Sequence, residues 1–374
     1  MVKEGPNWDG LLKWSLSHSD GTNTSRTLSE EDRRWFMEAV QAQSVDIIGR
    51  MKEITLVMQA PEHVLESQGV TPQDIEGLLD ELQEHVESID MANDLKSIGG
   101  LEPLINHLKN SHSNIRAKAA EVVSTIVQNN PTSQKSVMDS NGLEPLLSNF
   151  IADPDVLVRT KALGAISSLI RHNKPGISAF RLANGYAALR DALGSESVRF
   201  QRKALNLIHY LLQENHLDRA IATELGFSRI FMHLASSQDI EVREGALSGL
   251  LELARAESSR PNNISCDENE KLKEILQERI RGISEMSIDD LGAAKEERHL
   301  VDSLWKTCFN EPSSLGEMGL LYLPGEDGPP PDVVGQLFQQ PLRAWAANRD
   351  PNGNSSGGEN KPVLLLGLGP SSGT

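Results

Sequence analysis

Cysteine is almost missing from this 374-residue chain. The two that occur, Cys266 and Cys308, stand 42 residues apart with no CxxC spacing. That excludes a disulfide framework and a cysteine-based zinc site, and it fits two reduced thiols in a cytosolic protein. Aromatic residues are equally sparse, at 4%. A core of Leu, Ile, Val and Ala in thin layers tolerates this. No run of 18 apolar residues occurs, so no spanning helix is expected. Apolar stretches such as Val363 to Leu366 are far shorter, and the opening MVKEGPNWDG carries no apolar core of a signal peptide. Period-two alternation is also missing, which argues against strands. Positive charge is in deficit, with 36 Lys+Arg against 53 Asp+Glu. An acidic chain without a basic stripe is a poor partner for nucleic acid or an anionic membrane.

Catalytic patterns are missing too. There is no GxxxxGK[ST] loop, no GxGxxG after a strand, no GxSxG and no HExxH. The histidines are scattered; His107 and His112, or His209 and His216, have no further ligands at metal spacing. Acid pairs such as Asp289-Asp290 and Glu296-Glu297 read as solvated helix faces. No enzyme activity, cofactor or metal is expected.

What is present is repetition. GLEPL occurs at Gly100 and again at Gly142, with weaker copies at Gly185 (GYAAL) and Gly226 (GFSRI), spaced 42, 43 and 41. A second anchor keeps the register. Ala119, Ala162, Ala204 and Ala246 each open a long helical pattern, and the positions four and seven residues later are always apolar. Those positions hold Val123 and Ile126, Ile166 and Leu169, Ile208 and Leu211, Leu250 and Leu253. This is one apolar stripe of a 3.6-period helix written four times. Each unit parses as a short helix, a glycine-marked bend, a second helix and a longer third helix. A three-helix unit of about 42 residues is armadillo-like. The expected fold is therefore all-α: a right-handed superhelical solenoid with four central repeats over 100–256.

A unit of this kind cannot bury its own apolar face, so both ends need covers. Residues 30–99 supply helices and a front cover. Ser29 reads as an N-cap, and Thr71-Pro72-Gln73-Asp74 as a second helix start leading into one helix from Pro72 to Ser97. The back cover falls within 267–310, as Lys271 to Ile283 and Lys295 to Phe309. Residues 1–29 read as a flexible arm, and 311–374, rich in Gly, Pro, Asn and Ser, as a disordered tail.

Third helices line the inner side of such a solenoid. Opposite their apolar stripe lie the positions two before, two after and six after each alanine. They hold Ala117, Glu121 and Thr125; Thr160, Gly164 and Ser168; Arg202, Asn206 and Tyr210; Glu244, Ser248 and Glu252. Lys203 stands beside Arg202. A tyrosine flanked by Asn and Arg makes a protein-binding anchor.

The stretch Asp90-Met91-Ala92-Asn93-Asp94-Leu95, running into Gly99-Gly100-Leu101, resembles a signature of the armadillo-type nucleotide exchange factors of the heat-shock-70 (Hsp70) chaperones, the Fes and Hsp70-binding-protein family. Leu11-Leu12-Lys13-Trp14-Ser15-Leu16 is similar to that family's opening segment, and Leu304-Trp305-Lys306-Thr307-Cys308-Phe309 to its closing helix. The likeness spans about residues 6 to 310 and is nearest the plant branch. It implies a cytosolic co-chaperone that grips the ATPase domain of Hsp70 with its concave face and speeds ADP release. It also implies contacts from Ala92, Asn93, Arg202 and Lys203, and an arm containing Leu11, Leu12, Trp14 and Leu16 that helps expel clients. A monomer is expected. The alternative is an adaptor that holds an extended peptide or cargo protein. Such grooves repeat Trp and Asn along the third helices, where this chain has Glu121, Gly164, Asn206 and Ser248.

Overall fold

A computed structural model describes residues 30–257 and 266–323. The chain divides into two compact units, 1–321 and 322–374, and the account below concerns the first. Nineteen helices and no strand occur among the described residues. Helix α1 (Glu30–Gln59) ends before Pro61, and α2 (Glu62–Ser67) follows. Helix α3 (Pro72–His85) starts on a reciprocal capping box. The Thr71 hydroxyl accepts from the Asp74 amide, and Asp74 accepts from the Thr71 amide at 2.8 Å.

The expected front helix from Pro72 to Ser97 is two helices. Ser88 adopts an extended conformation, and α4 (Ile89–Ile98) begins after it. Helix α4 is the first helix of the first repeat, completed by α5 (Leu101–His107) and α6 (Ser113–Val127). The first repeat thus begins at Ile89, ahead of Gly100. The second is α7 (Pro131–Asp139), α8 (Leu143–Ala152) and α9 (Val156–Ile170). The third is α10 (Lys174–Leu182), α11 (Gly185–Leu193) and α12 (Val198–Glu214). The fourth is α13 (His216–Glu224), α14 (Phe227–Leu234) and α15 (Ile240–Glu257).

Each corner has a local cause. First helices open on Asn130, Asn173 and Asn215, whose side chains accept from the amides of Ser133, Gly176 and Leu217. The bend between first and second helices is made by a left-handed residue: Gly99, Asn141, Asn184 and Gly226. Gly226 therefore aligns with Gly99, and the fourth copy is shifted by one from the register expected on Gly100. The glycines at 100, 142 and 185 answer to space instead. A β-carbon on Gly100 or Gly142 would stand 2.6 Å from Leu95 or Val137, and one on Gly185 would stand 2.4 Å from the Phe180 ring.

The second-to-third corner is clasped by the residue three before each anchor alanine. Arg116 donates to the carbonyls of Asn110 and Ser111, Arg159 to Phe150, Gln201 to Leu193 and Ser195, and Arg243 to Ser237 and Gln238. Helix-end carbonyls have no partner within their own helix, so these donors satisfy them.

The anchor alanines and both apolar positions after them are buried in all four repeats. Third helices stack in chain order, α6, α9, α12 and α15, with α3 packed against α6 at the front. The few aromatics gather in this core. Phe150 meets Phe200 edge-on at 5.9 Å, and Phe180, Tyr186, Phe227 and Phe231 form a chain of edge contacts through repeats three and four.

The stack is closed by α16 (Cys266–Ser284), α17 (Ile288–Ala293), α18 (Lys295–Phe309) and α19 (Ser314–Glu317), with α18 lying on α15. Glu297, expected on a solvated face, is fully buried. It accepts from Arg243 and from Arg279, each at 2.7 Å. Satisfied on both oxygens, this carboxylate ties the fourth repeat to both cap helices. Residues 313–321, expected within a disordered tail, pack against α18. Ser313 donates to buried Asp302 at 2.7 Å, and the fully buried Arg298 donates to the carbonyls of Leu320 and Leu321. Leu315 and Leu321 are buried as well. The expected arm with Leu11, Leu12, Trp14 and Leu16, and the tail beyond 323, lie outside the described residues.

Gly185→Ala is expected to destabilise the fold by about 1–3 kcal/mol through overpacking against Phe180. Gly292→Ala, on an open helix surface, is expected to stay within about 0.5 kcal/mol. Urea unfolding of both variants checks this, and an equal loss in the two would contradict it.

Candidate protein-binding face

A helix inside a stack has neighbours on both flanks, which narrows what its outer side can offer. Ala117 and Thr160, two before their alanines, are 4% and 3% exposed, and Tyr210 and Glu252, six after, are 8% and 4%. These positions lie opposite the stripe on an isolated helix, but in the stack they are covered: Tyr210 reaches the turn after α9, and Glu252 accepts from Arg219 of its own repeat's first helix at 3.0 Å. The strip left to solvent is shifted. It runs through the positions one before, two after and five after each alanine: Lys118, Glu121 and Ser124; Lys161, Gly164 and Ser167; Lys203, Asn206 and His209. In the fourth repeat Gly245 and Ser248 continue it, while Leu251 is buried.

The expected contact residues divide accordingly. Lys203 and Asn206 lie on the strip, with Lys203 half-buried and Asn206 exposed. Arg202 points to the flank. It makes a paired hydrogen-bonded contact with Asp239 and a second ion pair with Glu241 at 2.8 Å, joining repeats three and four. Arg202 holds the Asp239 carboxyl below the usual aspartate range. The Tyr210 hydroxyl accepts from the His172 amide at 2.7 Å, and its ring lies 4.6 Å from the Arg171 guanidinium carbon. Tyr210 thus latches the end of α9. Thr160 donates to the Val156 carbonyl of its own helix. Ser168 bonds to Ser124 across the α6–α9 joint at 3.0 Å.

Ala92 is buried, so it offers nothing to solvent. Its carbonyl and the Asn93 side-chain oxygen accept from Ser133, at 3.5 and 3.1 Å. In this structure the Ala92-Asn93 signature joins the first repeat to the second.

Lys118 and Lys161 were missed. Each bonds to a carboxylate on the preceding helix of the stack, Lys118 to Asp80 on α3 and Lys161 to Glu121 on α6. Among the described residues the Lys203 amine has no such partner, and it lies over Gly164. Burial pulls it below the usual lysine range, and the nearby cations Arg199 and Lys161 act the same way. The signal for these lysines was in the sequence: three anchor alanines are preceded by Lys. Among the described residues, no three His, Cys, Asp or Glu side chains are grouped to hold a metal ion, and no helix is long and apolar enough to cross a membrane.

This architecture defines an armadillo-like repeat protein with a continuous third-helix face. Solved structures agree on the fold. A designed armadillo repeat protein solved in complex with the peptide (KR)4 aligns with a TM-score of 0.52 at 16% identity, over 69% of this chain and 99% of its own. An engineered protein, target OR329, aligns with a TM-score of 0.54 at 17% identity, over 70% and 96%.

The sequence carries the match further. The model of the nucleotide exchange factor Fes1 matches residues 8–95, and that of the SIL1/FES1/HPBP1 C-terminal domain matches 91–225. Hsp70-binding protein 1 of Homo sapiens is 26% identical over 82% of this chain and 86% of its own length. The Hsp70 nucleotide exchange factor FES1 of Kluyveromyces lactis is 30% identical over 52% of this chain and 67% of its own, and that of Candida albicans is 26% identical over 76% and 98%. The chain belongs to the SIL1/FES1/HPBP1 family of nucleotide exchange factors.

The Arg202–Asp239 clamp predicts a pH signature. A carboxylate whose folded pKa is depressed adds stability above its unfolded value, and that stability is lost as pH falls through the folded value. Arg202→Ala is expected to melt below the unsubstituted chain at pH 7. The gap should close as pH drops below about 4, the ordinary aspartate value. A pH-independent gap in thermal melts would contradict the clamp.

Proposed function

We propose that this chain is a co-chaperone that binds the ATPase domain of a cytosolic Hsp70 through its third-helix face and promotes ADP release. The carrying observation is that matches to the nucleotide exchange factor family run from residue 8 through the third repeat, over α6, α9 and α12 of the face. The relatives are named for Hsp70 binding and for nucleotide exchange. No covalent chemistry is needed. A partner that prefers the nucleotide-free chaperone weakens ADP binding by the same coupling free energy with which ADP weakens the partner. A monomer suffices for this, and the cytosol is the compartment assigned. The segment with Leu11, Leu12, Trp14 and Leu16, within the Fes1 match, is assigned the displacement of clients.

Stopped-flow release of fluorescent ADP from an Hsp70 ATPase domain tests the reading. The chain is expected to raise the release rate to a plateau with increasing concentration. By reciprocity, saturating ADP should weaken the chain's own binding by the factor with which the chain weakens ADP. An unchanged release rate at saturating chain overturns the proposal.

A further inference from the structure

The lysines before the anchor alanines form a ladder across the stack. Lys118 on α6 reaches Asp80 on α3, and Lys161 on α9 reaches Glu121 on α6. At the next joint Lys203 on α12 occupies the same position. The residue on α9 that corresponds to Glu121, two after its alanine, is Gly164. A β-carbon built there would stand 3.1 Å from the Lys203 Nζ. Lys203 therefore repeats the geometry of its two counterparts with the carboxylate taken away. Among the described residues the carboxylate that acts on it is that of Glu121, which is already bonded to Lys161. Arg199, one turn earlier on the same face of α12, is exposed and adds a second cation.

A half-buried ammonium without a counter-charge is unfavourable, and a glycine inside a helix is destabilising relative to alanine. Both are tolerated here at one spot. The glycine lets the Lys203 amine lie directly over α9, with no α9 side chain at that position to pair with it.

We propose that the Lys203 amine over Gly164 takes a carboxylate from the partner. An Asp or Glu side chain on the partner's surface inserts over Gly164 and pairs with Lys203, completing the third rung of the ladder, while Arg199 steers it in. This rests on the proposed function for the identity of the partner. It adds the chemistry of the contact and the place where it forms. A carboxylate is favoured because the two filled rungs hold one each. A nucleic-acid phosphate is disfavoured because the chain carries a net charge of −17.

Affinity of the full chain for an Hsp70 ATPase domain, compared at low and high salt, is the test. Lys203→Met is expected to weaken binding about tenfold or more, and to flatten its salt dependence. Gly164→Glu, which supplies the missing carboxylate from within, is expected to weaken binding as much. Gly164→Gln has the same size without the charge, and should bind within about threefold of the unsubstituted chain, less than half the tenfold loss on a free-energy scale. Lys203→Met is expected to melt no lower than the unsubstituted chain, because it removes an unpaired charge. Unsubstituted-like binding by Lys203→Met overturns the inference and leaves the proposed function standing. Equal losses from Gly164→Gln and Gly164→Glu overturn it too, because bulk rather than charge then matters. A large drop in the melting temperature of Lys203→Met makes the lysine structural and overturns it likewise. If the unsubstituted chain does not bind, the proposed function falls and takes the inference with it.

Discussion

Flank-to-flank packing of the third helices governs the rest of the molecule. Each of α6, α9, α12 and α15 buries an apolar stripe against its own repeat and both flanks against its neighbours. Close approach needs small residues at the joint, and alanine at the anchor position of every repeat provides them, as does Gly245 beside Leu205. The same packing decides which side chains remain for a partner. Lys203, Asn206 and their counterparts stay open to solvent, while Ala117, Thr160, Tyr210 and Glu252 are buried by the fold.

Polar groups at these joints keep the stack in register. Arg116 with Asp153, Arg181 with Asp218, Arg202 with Asp239, and Arg243 with Glu297 each bridge consecutive structural units. Asp218 and Glu297 are fully buried, so removing one partner leaves an uncompensated charge, which is far worse than never having placed the pair. The near-neutral balance of the repeat region, 17 Lys+Arg against 15 Asp+Glu from Gly100 to Arg255, reflects such pairing. Against that background Lys203 is conspicuous as a cation left over at a joint.

The apolar stripe and the capping box at Thr71 were legible because both depend on residues close together on one helix. The fourth bend was misread by one residue because two different demands put glycine there. A left-handed conformation selects Gly99 and Gly226, whereas contact with a packed side chain selects Gly100, Gly142 and Gly185. Arg202 and Tyr210 were read as free because a single-helix projection has no flanks. Glu297 was read as solvated because Arg243 and Arg279 lie 54 and 18 residues away in sequence. Where a residue's environment is set by another repeat, its type alone does not reveal its role.

The central claim is that this chain holds an Hsp70 chaperone with the narrow strip of the third helices. Lysine acylation footprinting of the complex with the ATPase domain addresses it directly. Protection is predicted at Lys118, Lys161 and Lys203, while Lys109, Lys135 and Lys174, exposed on first and second helices or the turns beside them, should react as in the free chain. Protection of Lys109, Lys135 and Lys174 with Lys203 still reactive would contradict the account.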